Sequence, residues 1–192
     1  MRGKTALFGG SFDPVHIGHL FIAEEVRLLG GFDRVLFVPA RQSPLKSRSP
    51  GASREERLEM LRLALNGRRD FDISTIEFDR EGPSYTIDTI RELQSQGEIE
   101  EHPGLIIGDD ITASFSEWKE HEELQAMVRL VVARREGEII EASLGRYEVV
   151  DNAVIPVSSS QIRERVREGR AYRYLVPDPV YRFIEAHGIY RT

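Results

Sequence analysis

The sequence contains no cysteine among its 192 residues. This absence excludes disulfide bonds, thiolate metal sites and cysteine nucleophiles, and it makes a reducing cytoplasm the default compartment. Long apolar runs are also missing, because no stretch approaches the roughly 20 residues that a membrane-spanning helix needs. The first residues, MRGKTALFGG, lack the apolar region and the small-residue cleavage site of a secretory signal. We therefore expect a cytoplasmic protein that does not cross a membrane.

Acidic residues outnumber basic residues in the sequence. There are 26 lysines and arginines against 32 aspartates and glutamates, which gives a formal net charge of −6. Binding to nucleic acid regardless of its sequence depends on neutralising many phosphates. The chain is therefore a poor candidate for a nucleic-acid partner. Any phosphate chemistry must rely on a few locally placed cations and on backbone N–H groups.

Apolar strand patterns alternate with amphipathic helix patterns along the chain. We predict strands at residues 4–8, 34–38, 71–78, 105–107, 128–133 and 147–150. Helices are predicted at residues 19–29, from 53 onward, and at 85–96, 158–166 and 178–188. Such alternation is typical of a parallel sheet with helices on both faces. The sequence predicts an α/β, Rossmann-like doubly wound fold, with a single domain over residues 1–192 and a small helical C-terminal part.

The first chemical cluster, GGSFDPVHIGH at residues 9–19, follows the first predicted strand directly. In parallel α/β sheets, ligands bind outside the carboxyl ends of the strands. The glycines allow the backbone to approach a phosphate, and the N-terminus of the following helix favours an anion. His16 and His19 are three residues apart, so their side chains project to one side. A metal site of both histidines and Asp13 is the alternative, but no further ligand has suitable spacing.

This cluster resembles the signature G-x-F-D-P-x-H-x-G-H of the HIGH-motif nucleotidyltransferase superfamily. Its members join the α-phosphate of a nucleoside triphosphate to an acceptor and release pyrophosphate. A second signature of the superfamily, I-S-S-T-x-I-R, is similar to VSSSQIR at residues 157–163. Serine hydroxyls and backbone amides at a helix start bind phosphate oxygens, and Arg163 adds a guanidinium that can donate two parallel hydrogen bonds to them.

Within the superfamily, the chain most resembles bacterial nicotinate-nucleotide adenylyltransferases over essentially its full length. PSYTIDT at residues 83–89 matches the family segment P-S-Y-T-x-x-T, and GDD at 108–110 matches G-x-D. Trp118 lies where the family has its tryptophan, and Lys46 lies where a loop carries a cation. Arg135 matches the arginine of R-P-G, although Glu136 replaces the proline.

The resemblance implies three sets of site residues. The catalytic residues are His16, His19 and Arg163. The ATP-binding residues are Gly9, Gly10, Ser11, Phe12, His16, Gly18, His19, Gly108, Asp110, Ser158, Ser159, Ser160, Ile162 and Arg163. The acceptor-binding residues are Lys46, Tyr85, Thr86, Trp118 and Arg135. A pyridinium ring would stack on Trp118, and Thr86 would meet the nicotinate carboxylate.

The resemblance implies transfer of AMP from ATP to nicotinate mononucleotide, which gives nicotinate adenine dinucleotide and pyrophosphate in NAD biosynthesis. Mg²⁺ would accompany the triphosphate, with no metal held by the protein itself. We expect a monomer or a small homo-oligomer. Nicotinamide mononucleotide or phosphopantetheine are alternative acceptors. A nucleotide-binding sensor without activity is the alternative from a different class. Whether Arg134 or Arg135 contacts the acceptor phosphate stays open at this point.

Overall fold

Six parallel strands form one sheet in the computed structural model, which describes residues 3–42, 51–135 and 144–191. The strands are β1 (Thr5–Gly10), β2 (Arg34–Pro39), β3 (Phe71–Ile73), β4 (Gly104–Gly108), β5 (Arg129–Ala133) and β6 (Glu148–Val150). Their order across the sheet is β3-β2-β1-β4-β5-β6, and every neighbouring pair is parallel. This topology confirms the predicted Rossmann-like fold. That the chain forms a single domain stays a prediction.

Helices cover both faces of the sheet. They are α1 (Ile17–Leu29), α2 (Arg54–Leu65), α3 (Ile76–Asp79), α4 (Thr86–Ser95), α5 (His121–Met127), α6 (Ser159–Arg167) and α7 (Asp178–His187), with 3₁₀ helices at Asp109–Glu117 and Arg173–Leu175. Helices α1, α2, α6 and α7 share one apolar core, and α3, α4 and α5 share the other. Among the described residues, no helix is long and apolar enough to cross a membrane.

The central strands are apolar on both sides because each side meets a different core. On β1, Ala6 and Phe8 point into the core of α1 and α2, whereas Leu7 between them points into the core of α4 and α5. Successive side chains of a strand alternate between the two faces of the sheet. Strands buried on both faces are therefore continuous apolar runs, which is why TALF and RVLFV were recognisable as strands in the sequence.

One predicted strand is wrong in its extent. The strand expected over residues 71–78 ends at Ile73, and the chain turns into the short helix α3. The apolar residues that suggested continued alternation serve two different elements, because Phe71 packs in one core and Ile76 in the other. The edge strand β3 thus stays short, which limits the exposed row of backbone groups that could pair with another chain.

The strand order reverses direction at β1, which has β2 on one side and β4 on the other. A crevice opens outside the carboxyl ends of the strands at such a switch point. Gly9 and Gly10 end β1 at this edge, and Gly108 ends β4. Helices that connect parallel strands run back across the sheet, so α1 and α4 begin at the same edge. The candidate residues of both substrates are therefore expected at this edge.

Candidate active site

The turn after β1 is built around Phe12, which is buried and has a left-handed backbone with φ of 46°. Its ring lies 5.7 Å from the ring of Phe8 and 5.5 Å from that of Phe37, measured between centroids. The Phe12 side chain therefore belongs to the core. The carbonyl of the preceding residue, Ser11, accepts a hydrogen bond of 2.8 Å from Arg57 Nη1.

The two histidines meet at the start of α1. Their rings stack at 3.6 Å between centroids, with an interplanar angle of 25°. The backbone N–H of His16 donates to Nδ1 of His19 at 3.2 Å. Because Nδ1 of His19 accepts, a neutral His19 ring carries its proton on Nε2, which makes Nε2–H a hydrogen-bond donor. The prediction that both side chains project to one side is confirmed.

His16 is a buried polar ring whose two nitrogens have no hydrogen-bond partner among the described residues. Burial and the nearby positive charge of Arg135 lower the pKa of His16 to about 3. The ring is therefore neutral throughout the physiological range. Buried polar groups in native proteins nearly always have a partner, so the His16 ring is a candidate for contact with a ligand.

Asp13 joins three distant parts of the chain. Its buried carboxylate accepts the backbone N–H groups of Gly51 at 2.7 Å and Ala52 at 3.0 Å, and the hydroxyl of Tyr190 at 2.8 Å. Arg163 Nη1 donates to the Asp13 carbonyl at 2.7 Å and lies 3.5 Å from its carboxylate. The aspartate of the first signature is thus a structural anchor that also holds the guanidinium of the second signature.

The second signature begins α6 and is bonded to the first. Ser158 accepts the backbone N–H three residues on at 3.3 Å, as the predicted capping box requires, and Ser159 Oγ donates to the carbonyl of Pro14 at 2.9 Å. Ser160 Oγ accepts from Arg163 Nη2 at 3.1 Å. Ile162 is fully buried in the core, and its N–H donates to the Ser158 carbonyl at 3.1 Å. The side chain of Ile162 therefore packs in the core, and its assignment to ATP binding stays a prediction.

A cavity of about 320 Å³ lies between these two signatures and the end of β5. Its lining combines the histidines with two arginines and an apolar wall: His16, Gly18, His19, Phe21, Ile22, Arg134, Arg135, Ala153, Val154, Ile155, Pro156, Val157, Ser158 and Gln161. Sequence reasoning missed Phe21, Gln161 and the wall at residues 153–156. The run AVIP directly before VSSSQIR was the available signal. An apolar wall with a cationic end suits a nucleoside that carries phosphates.

The glycines of the site have different roles. A methyl group on Gly9 would meet nothing within 4 Å, so this position is open at the end of β1. A methyl group on Gly18 would lie 2.9 Å from Val157 Cγ1 and 3.1 Å from the His16 ring. Gly18 therefore allows close packing of the two signatures, and its backbone lines the cavity, so its role in ATP binding stays a prediction. Gly10 is close to the ring of Phe12.

Acidic residues at the end of β4 hold the arginine after β5. Asp109 is buried, and its Oδ1 accepts the backbone N–H of Arg135 at 2.9 Å. Asp110 Oδ2 accepts from Arg135 Nη1 at 2.9 Å, whereas Asp110 Oδ1 is buried without a partner among the described residues. Gly108 is needed here because a side chain would collide with both Asp110 and Arg135. Arg135 is the arginine whose charge acts on His16.

Three of the predicted acceptor residues, Tyr85, Thr86 and Trp118, lie at the start of α4 and at the end of the 3₁₀ helix after β4, whereas Arg135 lines the cavity beside His16. Tyr85 and Thr86 begin α4, and Lys119 Nζ lies 5.1 Å from the centre of the Tyr85 ring. Trp118, the neighbour of that lysine, packs against Phe115 at 5.2 Å between ring centroids, and its buried Nε1 has no partner among the described residues. The structure thus brings the tryptophan segment next to the start of α4. Lys46 lies outside the described residues.

Comparison with known proteins agrees with this architecture. The family described as cytidylyltransferase-like matches residues 7–165. A protein of Roseiflexus sp. named "Probable nicotinate-nucleotide adenylyltransferase" is 42% identical, with 96% of each chain covered. A protein of Exiguobacterium sibiricum with the same name is 42% identical and covers 98% of this chain and 100% of its own.

A solved structure, "Plasmodium falciparum nicotinic acid mononucleotide adenylyltransferase complexed with NaAD", has a TM-score of 0.79 at 18% identity, with 98% of each chain covered. At that identity the likeness shows the fold alone. The sequence matches show the family: this chain belongs to the cytidylyltransferase-like family and, within it, to the nicotinate-nucleotide adenylyltransferases.

Proposed function

We propose that this enzyme transfers the adenylyl group of ATP to nicotinate mononucleotide, giving nicotinate adenine dinucleotide and pyrophosphate in NAD biosynthesis. The observation that carries the proposal is the neutral ring of His16, which has no hydrogen-bond partner within residues 3–42, 51–135 and 144–191 and stacks on His19 beside Arg135 in a cavity of nucleotide size. Relatives of the same length and 42% identity are named for this reaction.

The chemistry needs positioning and charge stabilisation more than a base. A phosphate monoester is already largely ionised near neutral pH, since its second pKa is about 6. One of its oxygens attacks the α-phosphorus of ATP, the bond from that phosphorus to the bridging oxygen breaks, and pyrophosphate leaves with the electron pair. Charge grows on the α-phosphate oxygens and on the departing pyrophosphate. Fixed hydrogen-bond donors and cations aimed at those oxygens lower the barrier.

The histidines supply donors that do not depend on protonation. His19 offers its Nε2–H, and neutral His16 offers one N–H and one acceptor nitrogen. Arg163 supplies positive charge through a guanidinium whose planar fork matches phosphate oxygens. In this arrangement His16, His19 and Arg163 contact the phosphates of ATP, while the apolar wall of the cavity holds the nucleoside.

The acceptor would lie across β4, between Trp118 and the start of α4. The pyridinium ring stacks on the indole, and Tyr85 forms a second wall. Thr86 is the first residue of α4, where backbone N–H groups lack partners within the helix and favour an anion. A carboxylate fits that position better than an amide, which favours nicotinate over nicotinamide. Arg135 and Lys46 would bind the acceptor phosphate.

A divalent metal is expected to enter with ATP, and Mg²⁺ is the ion we propose. Among the described residues, no group of three or more histidine, aspartate or glutamate side chains could hold a metal ion. The triphosphate oxygens and water would therefore be its main ligands, and the ion would neutralise charge on the β- and γ-phosphates. We also expect a cytoplasmic enzyme, a monomer or small homo-oligomer, that acts on small molecules and binds no nucleic acid.

The test is release of pyrophosphate from ATP and Mg²⁺, with nicotinate mononucleotide, nicotinamide mononucleotide and phosphopantetheine offered separately. We expect strong preference for the first. His19→Ala should lower kcat by roughly 10²–10³-fold, as loss of a transition-state donor does, whereas His102→Ala, at an exposed position, should not. Release with another acceptor would disprove the acceptor assignment. ATP binding without any release would favour the sensor alternative.

A further inference from the structure

A buried carboxyl group outside the reacting centre adjoins the acceptor segment. Glu77 lies in the short helix α3 and is only 7% exposed. Burial raises the pKa of Glu77, because the charged form loses its contact with water. A buried carboxyl is costly to a fold unless donors satisfy it. The identity of those donors therefore indicates what the residue does.

The groups that offset this cost belong to the segment PSYTIDT. Thr89 Oγ1 donates to Glu77 Oε1 at 2.7 Å, and the Ser84 side chain lowers the pKa of the carboxyl against the effect of burial. These two residues flank Tyr85 and Thr86, the pair expected to contact the nicotinate. One carboxyl group therefore fixes the chain on both sides of that pair.

The same contacts extend to the loop after β2. The Ser84 hydroxyl accepts the backbone N–H of Arg41 at 3.0 Å, and the Ser84 N–H donates to the Gln42 carbonyl at 2.9 Å. Because the Ser84 hydroxyl accepts from Arg41 through a lone pair, its single proton is free to point toward the Glu77 carboxyl. Glu77 thereby also orients Ser84 toward the end of the loop that leads to Lys46.

Charge balance is supplied indirectly. Arg80 Nη2 donates to Thr89 Oγ1 at 2.9 Å, and its Nη1 lies 3.3 Å from a carboxylate oxygen of Glu92. The guanidinium therefore polarises the Thr89 hydroxyl toward Glu77, and its positive charge favours the ionised carboxyl. A hydroxyl that accepts one hydrogen bond and donates another is polarised by both, so consecutive hydrogen bonds strengthen one another in an interior with little water.

We propose that Glu77 is a positioning residue for the acceptor: through Ser84 and Thr89 it holds Tyr85 and Thr86 in the orientation that receives the nicotinate ring and its carboxylate. This inference rests on the proposed function. Glu77 touches no reacting atom, so its loss should act on acceptor binding and leave ATP binding intact.

The experiment measures acceptor binding directly. Trp118 is the only tryptophan in the chain, so its fluorescence follows titration with nicotinate mononucleotide in the absence of ATP. Glu77→Ala should raise the Kd for nicotinate mononucleotide about tenfold, equivalent to about 1.4 kcal/mol, and should raise its KM in parallel. The KM for ATP should stay within about twofold of the wild type. Glu81→Ala, which removes an exposed carboxylate four residues on, should change neither.

Two further variants separate positioning from folding. Glu77→Gln keeps an oxygen that accepts from both hydroxyls, so it should restore acceptor affinity to within about threefold of the wild type. Thr89→Val removes the hydroxyl that donates to Glu77 and should raise the KM for the acceptor. Thr89→Ser keeps this hydroxyl and should not raise the KM. This second pair tests the inference even if Glu77→Ala fails to fold.

Equal changes in the KM values of both substrates, or no change in either, would overturn the inference. A different result would refute the proposed function itself: the wild-type enzyme would show no turnover of nicotinate mononucleotide. Wild-type turnover with no selective effect of Glu77→Ala and Thr89→Val would refute only the positioning role.

Discussion

The lowered pKa of His16 makes a measurable contribution to the pH dependence of stability. In the unfolded chain this histidine has its ordinary pKa of 6.5, whereas in the fold the pKa is about 3. Between these values the unfolded chain binds a proton that the folded protein does not. Stability is therefore fully present above 6.5 and is lost as the pH falls. Linkage gives a loss of about 2 kcal/mol between pH 8 and pH 5 from this one residue.

The assay is urea denaturation of the wild type and of His16→Asn at both pH values. Other titratable groups are common to the two proteins, so the difference in their pH dependence isolates His16. Between pH 8 and pH 5, the free energy of unfolding of the variant should fall by about 2 kcal/mol less than that of the wild type. His102→Asn removes an exposed histidine and should behave as the wild type does. If His16→Asn shows the full wild-type loss, the ring is protonated easily in the fold and the argument for a neutral donor is refuted.

Three further predictions concern residues in and around the two signatures. Tyr190→Phe removes a donor to the buried carboxylate of Asp13 and should lower the free energy of unfolding by about 2 kcal/mol. The control Tyr174→Phe, at a residue 86% exposed, should leave the free energy of unfolding unchanged. Equal effects of the two substitutions would contradict the role of Asp13 as an anchor. Gly18→Ala should destabilise the fold by roughly 1–3 kcal/mol because the methyl group collides with its neighbours. Gly9→Ala, with open space around the new methyl, should keep stability but weaken ATP binding; normal ATP affinity would place the nucleotide elsewhere.

Much of the fold was predictable because each strand and helix carries a local pattern. The central strands are apolar runs, and Ser53 and Ser158 form capping boxes in the structure as their spacing indicates. The segment 71–78 was mispredicted because period-two alternation does not reveal when the chain passes from one core to the other. The 3₁₀ helix at Asp109–Glu117 was missed as well, since its polar sequence carries no clear periodicity.

The site was predictable to the extent that its residues are clustered in the sequence. Signatures identified the histidines and Arg163, but contacts between distant residues decide what each of them does. Arg57 supports the first turn from helix α2, where the sequence shows only an amphipathic pattern. Tyr190 reaches Asp13 across 177 positions. No spacing rule relates such residues, because tertiary packing alone brings them together.

The partners of the arginines explain how an acidic protein can bind two polyanions. In the structure, Arg163 is held by Asp13 and Arg135 by Asp110. A triphosphate that draws Arg163 away would leave a buried carboxylate unpaired, which is costly when no other donors are present. Asp13 already accepts two backbone N–H groups and a tyrosine hydroxyl, so its charge stays satisfied after Arg163 leaves. The guanidinium can therefore exchange its protein partner for phosphate oxygens at little cost to the fold.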